Sequence, residues 1–205
     1  MSAPGLFKFP KQRHTRNQSP PQFKKYRDYR PYLNSEFANT CVYCRRPNLT
    51  GESRGFEIDH YFPKHQFPAL VSDYSNLYLA CSTCNGRKSD AYPSRPESPA
   101  VPNPCDHVMF EQLRYQNDVA TPHSRNGEYA IHLLQLNEPL TLDARKTFRI
   151  QANAVRYQLE KLESEIVELR ELAESGNSEA EAEVFVMEGQ IDKLRKLQLR
   201  FDGGG

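Results

Sequence analysis

The chain has 205 residues and a formal net charge of only +1, which leaves room for one full domain with an appendage or for a small catalytic module extended on both sides. The near-neutrality conceals an asymmetry: residues 1–46 carry ten Lys or Arg against Asp28 and Glu36, whereas residues 151–205 carry seven against twelve Asp or Glu, so the front suits a polyanion and the back does not. No apolar run is long enough to span a bilayer and the N-terminus has no apolar signal core, so we expect no membrane contact and a cytoplasmic protein; in such a reducing setting five cysteines, four of them in Cys-x-x-Cys pairs, point to a metal and not to disulfides.

Residues 1–22 are polar, basic and proline-containing, and read as a flexible basic arm that becomes ordered on nucleic acid. From Phe23 to Phe37 tyrosines alternate with basic residues (Lys24, Lys25, Tyr26, Arg27, Tyr29, Arg30, Tyr32). Such a pattern either stacks on bases while contacting phosphates, or packs its tyrosines on a neighbouring module as a helix or turn. Residues 23–92 are read as that module. Within 93–140, Pro93, Pro96, Pro99, Pro102 and Pro104 preclude helix or central strand and predict an extended connector. Short strands and turns follow, with Asn126-Gly127 as a turn before the apolar stretch at 129–136. Residues 141–202 are helical by period: Val155, Leu159, Leu162, Ile166, Leu169 and Leu172, then Val184, Met187, Ile191, Leu194, Leu197 and Phe201, recur at steps of three and four. The break at Ser175-Gly176-Asn177-Ser178 predicts an antiparallel helical hairpin with Ser178 as N-cap of its second helix, and Gly203–Gly205 read as a frayed end.

The chemistry concentrates in the module. Cys41-Val-Tyr-Cys44 and Cys81-Ser-Thr-Cys84 are separated by 36 residues. Each pair brings two thiolates to about 3.5–4 Å on a knuckle or helix start, and two pairs complete the four-sulfur tetrahedron of a structural Zn²⁺. A closed shell has no position for water, so this metal folds the protein and does no chemistry; Cys105 is left unligated. Between the pairs lies Phe56-Glu57-Ile58-Asp59-His60-Tyr61-Phe62-Pro63-Lys64, an apolar strand ending in Asp-His. Adjacent strand residues point to opposite sides, so Asp59 and His60 share a site only if the strand ends there, as Pro63 implies. Asn85 and Lys88 fall one turn apart on a helix opened by the second pair and share its face. Taken singly, an Asp-His pair is ordinarily a turn with a hydrogen-bonded histidine, and an Asn at a helix start is ordinarily a cap. His14, His65, His107, His123 and His132 have no comparable setting, and only His65 is near enough in sequence to assist.

From Cys41 to Asp90 the sequence resembles the HNH endonuclease family in its zinc-containing branch, with Cys-x-x-Cys, Asp-His-x-x-Pro, Asn-Leu and Cys-x-x-Cys-Asn-x-x-Lys in order. The resemblance implies a ββα-metal module, and with the remaining segments an α+β chain: the small zinc-bound nuclease module, short strands, and a C-terminal antiparallel helical hairpin. It implies that Asp59 and Asn85 hold a catalytic Mg²⁺ or Mn²⁺, that His60 is the general base, and that Asn76 positions the loop or the base. The chemistry is consistent: neutral imidazole accepts a proton near pH 7, and hard oxygens suit Mg²⁺ or Mn²⁺. Lys64, Arg87 and Lys88 are the expected phosphate contacts. The implied activity is hydrolysis of phosphodiester bonds, in DNA in preference to RNA, leaving 5′-phosphate and 3′-hydroxyl ends. The alternative is a zinc-stabilised nucleic-acid binder, or a subunit active only with its partner. The tract from Asn103 through Asn126-Gly127 to Leu136–Leu140 and Arg145 is similar, more loosely, to HNH subunits of bacterial anti-phage systems, including those paired with an ATPase of the Septu type. That resemblance makes the helical hairpin the expected surface for a protein partner, such as an ATPase, or for self-association.

Overall fold

The computed structural model describes residues 6–49 and 55–202, so the glycines expected to fray at 203–205 lie outside the described residues. The regular elements in chain order are α1 (Arg30–Glu36), β1 (Phe56–His60), β2 (Leu77–Cys81), α2 (Ser82–Lys88), α3 (Met109–Gln112), β3 (Leu113–Gln116), β4 (Val119–Pro122), α4 (Arg125–Leu133), α5 (Pro139–Glu174) and α6 (Ser178–Phe201). This is the expected α+β arrangement of a ββα unit, short strands and a C-terminal helical hairpin.

The module is built on β1 and β2, an antiparallel pair in register from Phe56 opposite Cys81 to His60 opposite Leu77. Every residue of β2 is buried, because both faces of the strand are covered and the usual alternation is lost. Val42 of the first knuckle donates its amide to the Leu79 carbonyl at 3.0 Å, and the Tyr78 ring lies 5.6 Å from Phe37 just beyond α1. A 3-10 turn over Tyr26–Tyr29 leads into α1, whose first turn carries Pro31 with its preset φ. Here the tyrosine–basic alternation resolves into two groups: Tyr29 and Leu33 are buried, while Tyr26 is half-buried and Arg27 exposed.

Two expectations about the flanks are corrected here, the arm and the turn at Asn126-Gly127. Residues 6–22, expected as a flexible arm, run across the body. Phe7 and Phe9 are buried, the His14 amide donates to the Pro104 carbonyl at 2.8 Å, and the Arg16 guanidinium sits about 5 Å from the Phe37, Tyr74 and Tyr78 rings while donating to the Leu77 carbonyl at 2.9 Å. A few well-placed anchors suffice where overall apolar content is low. The hairpin in 105–140 is β3–β4, turned at Asn117 and Asp118 with φ of 49° and 69°, as a type I′ turn demands. Asn126-Gly127 is not a turn: it lies in α4, capped by Ser124 accepting from the Gly127 amide at 2.9 Å. Gly127 is required for packing, since a Cβ there would stand 1.7 Å from the Gln112 carbonyl oxygen.

The proline-rich stretch carries no helix or strand between α2 and α3, yet Val101 and Asn103 are buried, and the hydroxyls of Tyr61 and Tyr78 reach them at 2.9 and 2.7 Å. In the C-terminal hairpin Leu159, Leu162, Ile166 and Ile191 form a core against Val184, Met187 and Leu194, flanked by the inter-helix pairs Arg170–Glu188 and Arg195–Glu163. Leu172, expected in the stripe, is exposed. The cap of α6 is Asn177 and not Ser178: its Oδ1 accepts from the amides of Glu179 and Ala180, after a chain reversal at Gly176 with φ 88°. The first turns of α5 tie this hairpin to the body through buried Arg145, which donates to the carbonyls of Asp118 and Leu136 and lies 4.0 Å from the Tyr115 ring centre.

Candidate metal centre and base pocket

The first knuckle is a tight hairpin closed by the bridge between Thr40 and Pro47. The Cys41 amide donates to Arg46 at 2.9 Å and the Arg45 amide to Cys41 at 3.0 Å. Arg45 adopts φ 59°, the left-handed turn that brings Cys44 back toward Cys41. The second knuckle ends β2 and opens α2, with Cys81 as N-cap whose sulfur accepts from the Cys84 amide at 3.4 Å. All four cysteines are buried and their sulfurs lie within 4.8 Å of one another. A tetrahedron with Zn–S bonds of about 2.3 Å has edges of about 3.8 Å, and the Cys44 and Cys81 sulfurs are 3.8 Å apart. The donor set fits a structural Zn²⁺. Cys105 lies outside the cluster, half-buried, its amide donating to Asn103.

His60 closes β1 on the face opposite Glu57 and Asp59. Its Nε2–H donates to the Val71 carbonyl at 2.9 Å, and the Tyr26 ring stands edge-on to the imidazole, 4.8 Å between centres. The carbonyl partner fixes the tautomer and leaves the lone pair on Nδ1. Burial pushes the imidazole below its ordinary range, against the Val71 hydrogen bond, so the neutral, proton-accepting form is favoured. Asn76 is buried beside the turn that follows. Its Oδ1 accepts from the Phe62 amide at 2.7 Å, and its Nδ2 donates to the carbonyls of Phe62 and Leu70, each at 3.1 Å. One side chain therefore clamps both the segment leaving β1 and the one bearing the carbonyl partner of His60.

The remaining expected residues divide differently. Asp59 is 3% exposed, and both its oxygens are engaged: Tyr43 Oη donates to Oδ2, and Lys88 Nζ to Oδ1 at 3.1 Å. Lys88 Nζ also donates to the His60 carbonyl at 3.0 Å. Asn85 does not touch Asp59; its Nδ2 donates to Glu57 Oε2 at 2.5 Å on the surface. The structure thus does not bring the expected Asp59–Asn85 pair together, and it adds Glu57, which the two-residue period of the strand could have supplied from Asp59. Both Asp59 oxygens are thus taken, one by the Lys88 ammonium, and Glu57 and Asn85 at the surface are left as the hard oxygen donors of the kind a Mg²⁺ or Mn²⁺ takes.

Of the expected phosphate contacts only Lys64 is exposed. Lys88 is buried in its ion pair, because a helix residue one turn beyond Asn85 points at the same strand face. Arg87 is turned away as a brace, donating to the Leu134 carbonyl at 2.8 Å and to Thr141 Oγ1 at 3.1 Å. His65 is exposed and 3.4 Å from Asp90. Tyr43 joins the site as the partner of Asp59, and Arg30 borders it through its bond to the Phe56 carbonyl. Nothing in the spacing marks Tyr43 as the partner of Asp59, whereas Arg30 belongs to the tyrosine–basic alternation already visible in the sequence.

Residues 41–91 match the HNH endonuclease family. The Septu protein PtuB of Bacillus thuringiensis is 34% identical over 104 residues, a segment that covers 49% of this chain and 37% of that protein. The shared segment thus spans little more than a third of that relative. No described helix is long and apolar enough to cross a membrane.

Proposed function

We propose that this chain is a metal-dependent HNH endonuclease that hydrolyses phosphodiester bonds, DNA in preference to RNA. The observation that carries the reading is the His60 imidazole, fixed by the Val71 carbonyl with Nδ1 as its basic atom, at the end of β1 opposite the one that pairs with Cys81. In the reaction a water proton passes to Nδ1 as the water oxygen bonds to phosphorus; the bond to the 3′ oxygen breaks, and that oxygen takes up a proton from solvent. Asn76 keeps the imidazole against its carbonyl partner. Asn85 with Glu57, or with Asp59 once Lys88 releases it, would hold a divalent ion, whose chemistry would be to stabilise charge on the phosphate and the leaving oxygen. The zinc cluster's task is to hold the start of α2, and so Asn85, against β1.

The exposed apolar residues of the C-terminal hairpin, among them Tyr157, Phe185 and Val186, support a second element of the reading: docking to a protein partner, an ATPase or a second copy of this chain, in an anti-phage defence system. The likeness to a Septu protein supports it too. In that setting the engaged state of Asp59 favours a subunit whose activity rises when the partner is bound. The test is incubation of the zinc-loaded chain with plasmid, linear duplex, single-stranded DNA and tRNA in Mg²⁺ or Mn²⁺. Cleavage that disappears in His60→Ala with zinc content unchanged is the expected result. Cleavage undiminished in His60→Ala would move the base elsewhere, and cleavage of none of the four, with or without the partner, would leave a binding module.

A further inference from the structure

With Arg87 and Lys88 turned inward, a polyanion beside His60 must find its cations elsewhere. The turn before α1 offers them. Tyr26 stands edge-on to His60; Arg27 and Lys64, both exposed, have their charged groups 5.8 and 5.5 Å from the Tyr26 ring centre. Arg30 is held beside them by its bond to the Phe56 carbonyl at 3.1 Å. None of the three cations forms an ion pair among the described residues. Glu57 is the carboxylate that acts on Arg30. The charges acting on the Tyr26 hydroxyl are all positive: its hydrogen bond with Arg27, then Lys64, Arg27 and Arg30 through space, hold it below the ordinary phenol range despite burial. Two independent features therefore meet, a cluster of cations with no ion pair among the described residues and an aromatic ring, and Tyr26 borders the group that would take the water proton.

We propose that Tyr26, Arg27, Arg30 and Lys64 form the edge that grips the sugar–phosphate backbone of the nucleic acid beside His60. The inference rests on the nuclease reading and names its substrate contacts. Arg27 and Lys64 lie no more than about 11 Å apart, and one strand carries a phosphate every ~3.4 Å of helix axis, so the two can serve different phosphates of a single strand. Tyr26, whose ring centre is 5.8 and 5.5 Å from the two charges, presents a ring to a sugar or an unpaired base.

Binding is measured on the zinc-loaded full chain carrying His60→Ala, so that cleavage does not interfere. The probes are fluorescein-labelled single-stranded DNA, duplex DNA and single-stranded RNA of about 20 nucleotides, titrated across KCl concentration. Adding Arg27→Ala and Lys64→Ala should weaken binding by about tenfold or more and reduce the salt slope by about 1.4–1.8, the value for two lost phosphate contacts. Lys161→Ala, on the hairpin, should leave both unchanged. With His60 intact, the same double substitution should raise KM and change kcat by no more than about threefold. Because the sequence has no tryptophan, Tyr26→Trp gives a single fluorophore that should respond to whichever probe stacks on it. An unchanged salt slope in the double variant, or no binding of any probe at low salt, overturns the proposal. A reduced slope in a chain that cuts nothing would instead overturn the nuclease reading and leave the grip standing.

Discussion

Replacing Lys88 by methionine keeps the length of the side chain and removes its charge from a site where only 1% of the Lys88 and 4% of the Asp59 side chain meets solvent. The ammonium donates to Asp59 Oδ1 at 3.1 Å and to the His60 carbonyl at 3.0 Å. Without it the Asp59 carboxylate keeps only the Tyr43 hydroxyl. Breaking a buried pair from one side costs about 3–5 kcal/mol, since the stranded charge is not rehydrated, whereas an exposed pair is worth about 0–1 kcal/mol. The burial decides for the larger figure. Against a total stability of roughly 5–15 kcal/mol, Lys88→Met should remain folded at 25 °C with its melting point lowered by roughly 6–20 °C. Urea unfolding of the zinc-loaded protein measures the loss. Adding Asp59→Asn should restore part of it, because neutralising the stranded group removes the cause, with a coupling of about 2 kcal/mol or more. A loss below about 1 kcal/mol, or two losses that simply add, would mean that the pair is hydrated and that Asp59 is free to serve as a ligand.

Purified protein should carry about one zinc per chain, and Cys81→Ser should lose metal and structure together; soluble folded protein without zinc would contradict the cluster's assignment. Since burial holds His60 below the ordinary imidazole value of about 6.5, kcat should stay level as pH falls past that value and drop only at lower pH. A pH–rate profile whose acidic limb sits at or above it would remove His60 as the base. The stability contribution of neutral His60 has the same sign, full above the unfolded value and lost as pH falls through the folded one. Gly127→Ala should cost about 1–3 kcal/mol or more in a urea melt, because its methyl meets the Gln112 carbonyl. Gly86→Ala, with nothing within 4 Å, should instead gain up to about 1 kcal/mol; equal effects would refute the packing argument.

What the sequence made legible is what local chemistry dictates. Two Cys-x-x-Cys pairs make a four-sulfur cluster that could hold one metal because each pair is its own knuckle, and the structure assembles them with no further requirement. The helical hairpin is legible because its core repeats along each helix. The flanks were harder for specific reasons. Asn126-Gly127 has the composition of a turn, but Ser124 caps a helix there, and the glycine is needed for close approach to Gln112, a contact between segments that no local pattern encodes. The arm has too few apolar residues to fold alone, yet Phe7, Phe9 and Arg16 each find a prepared place on the body.

The site itself shows where motif reading stops. Periodicity correctly puts Asn85 and Lys88 on one helix face and Glu57 and Asp59 on one strand face, but it cannot pair them. Length decides that: Lys88 is long enough to reach Asp59 and the His60 carbonyl, while the shorter Asn85 stays at the surface and meets Glu57. Once Lys88 lies inside, its charge is matched by Asp59 and it can offer little to a phosphate. The exposed cations around Tyr26 come from the turn before α1 and from Lys64, residues far apart in sequence that the fold brings to one ring. On the nuclease reading, the motif would specify the chemistry of the centre, and the fold would decide which charges are left to hold a substrate.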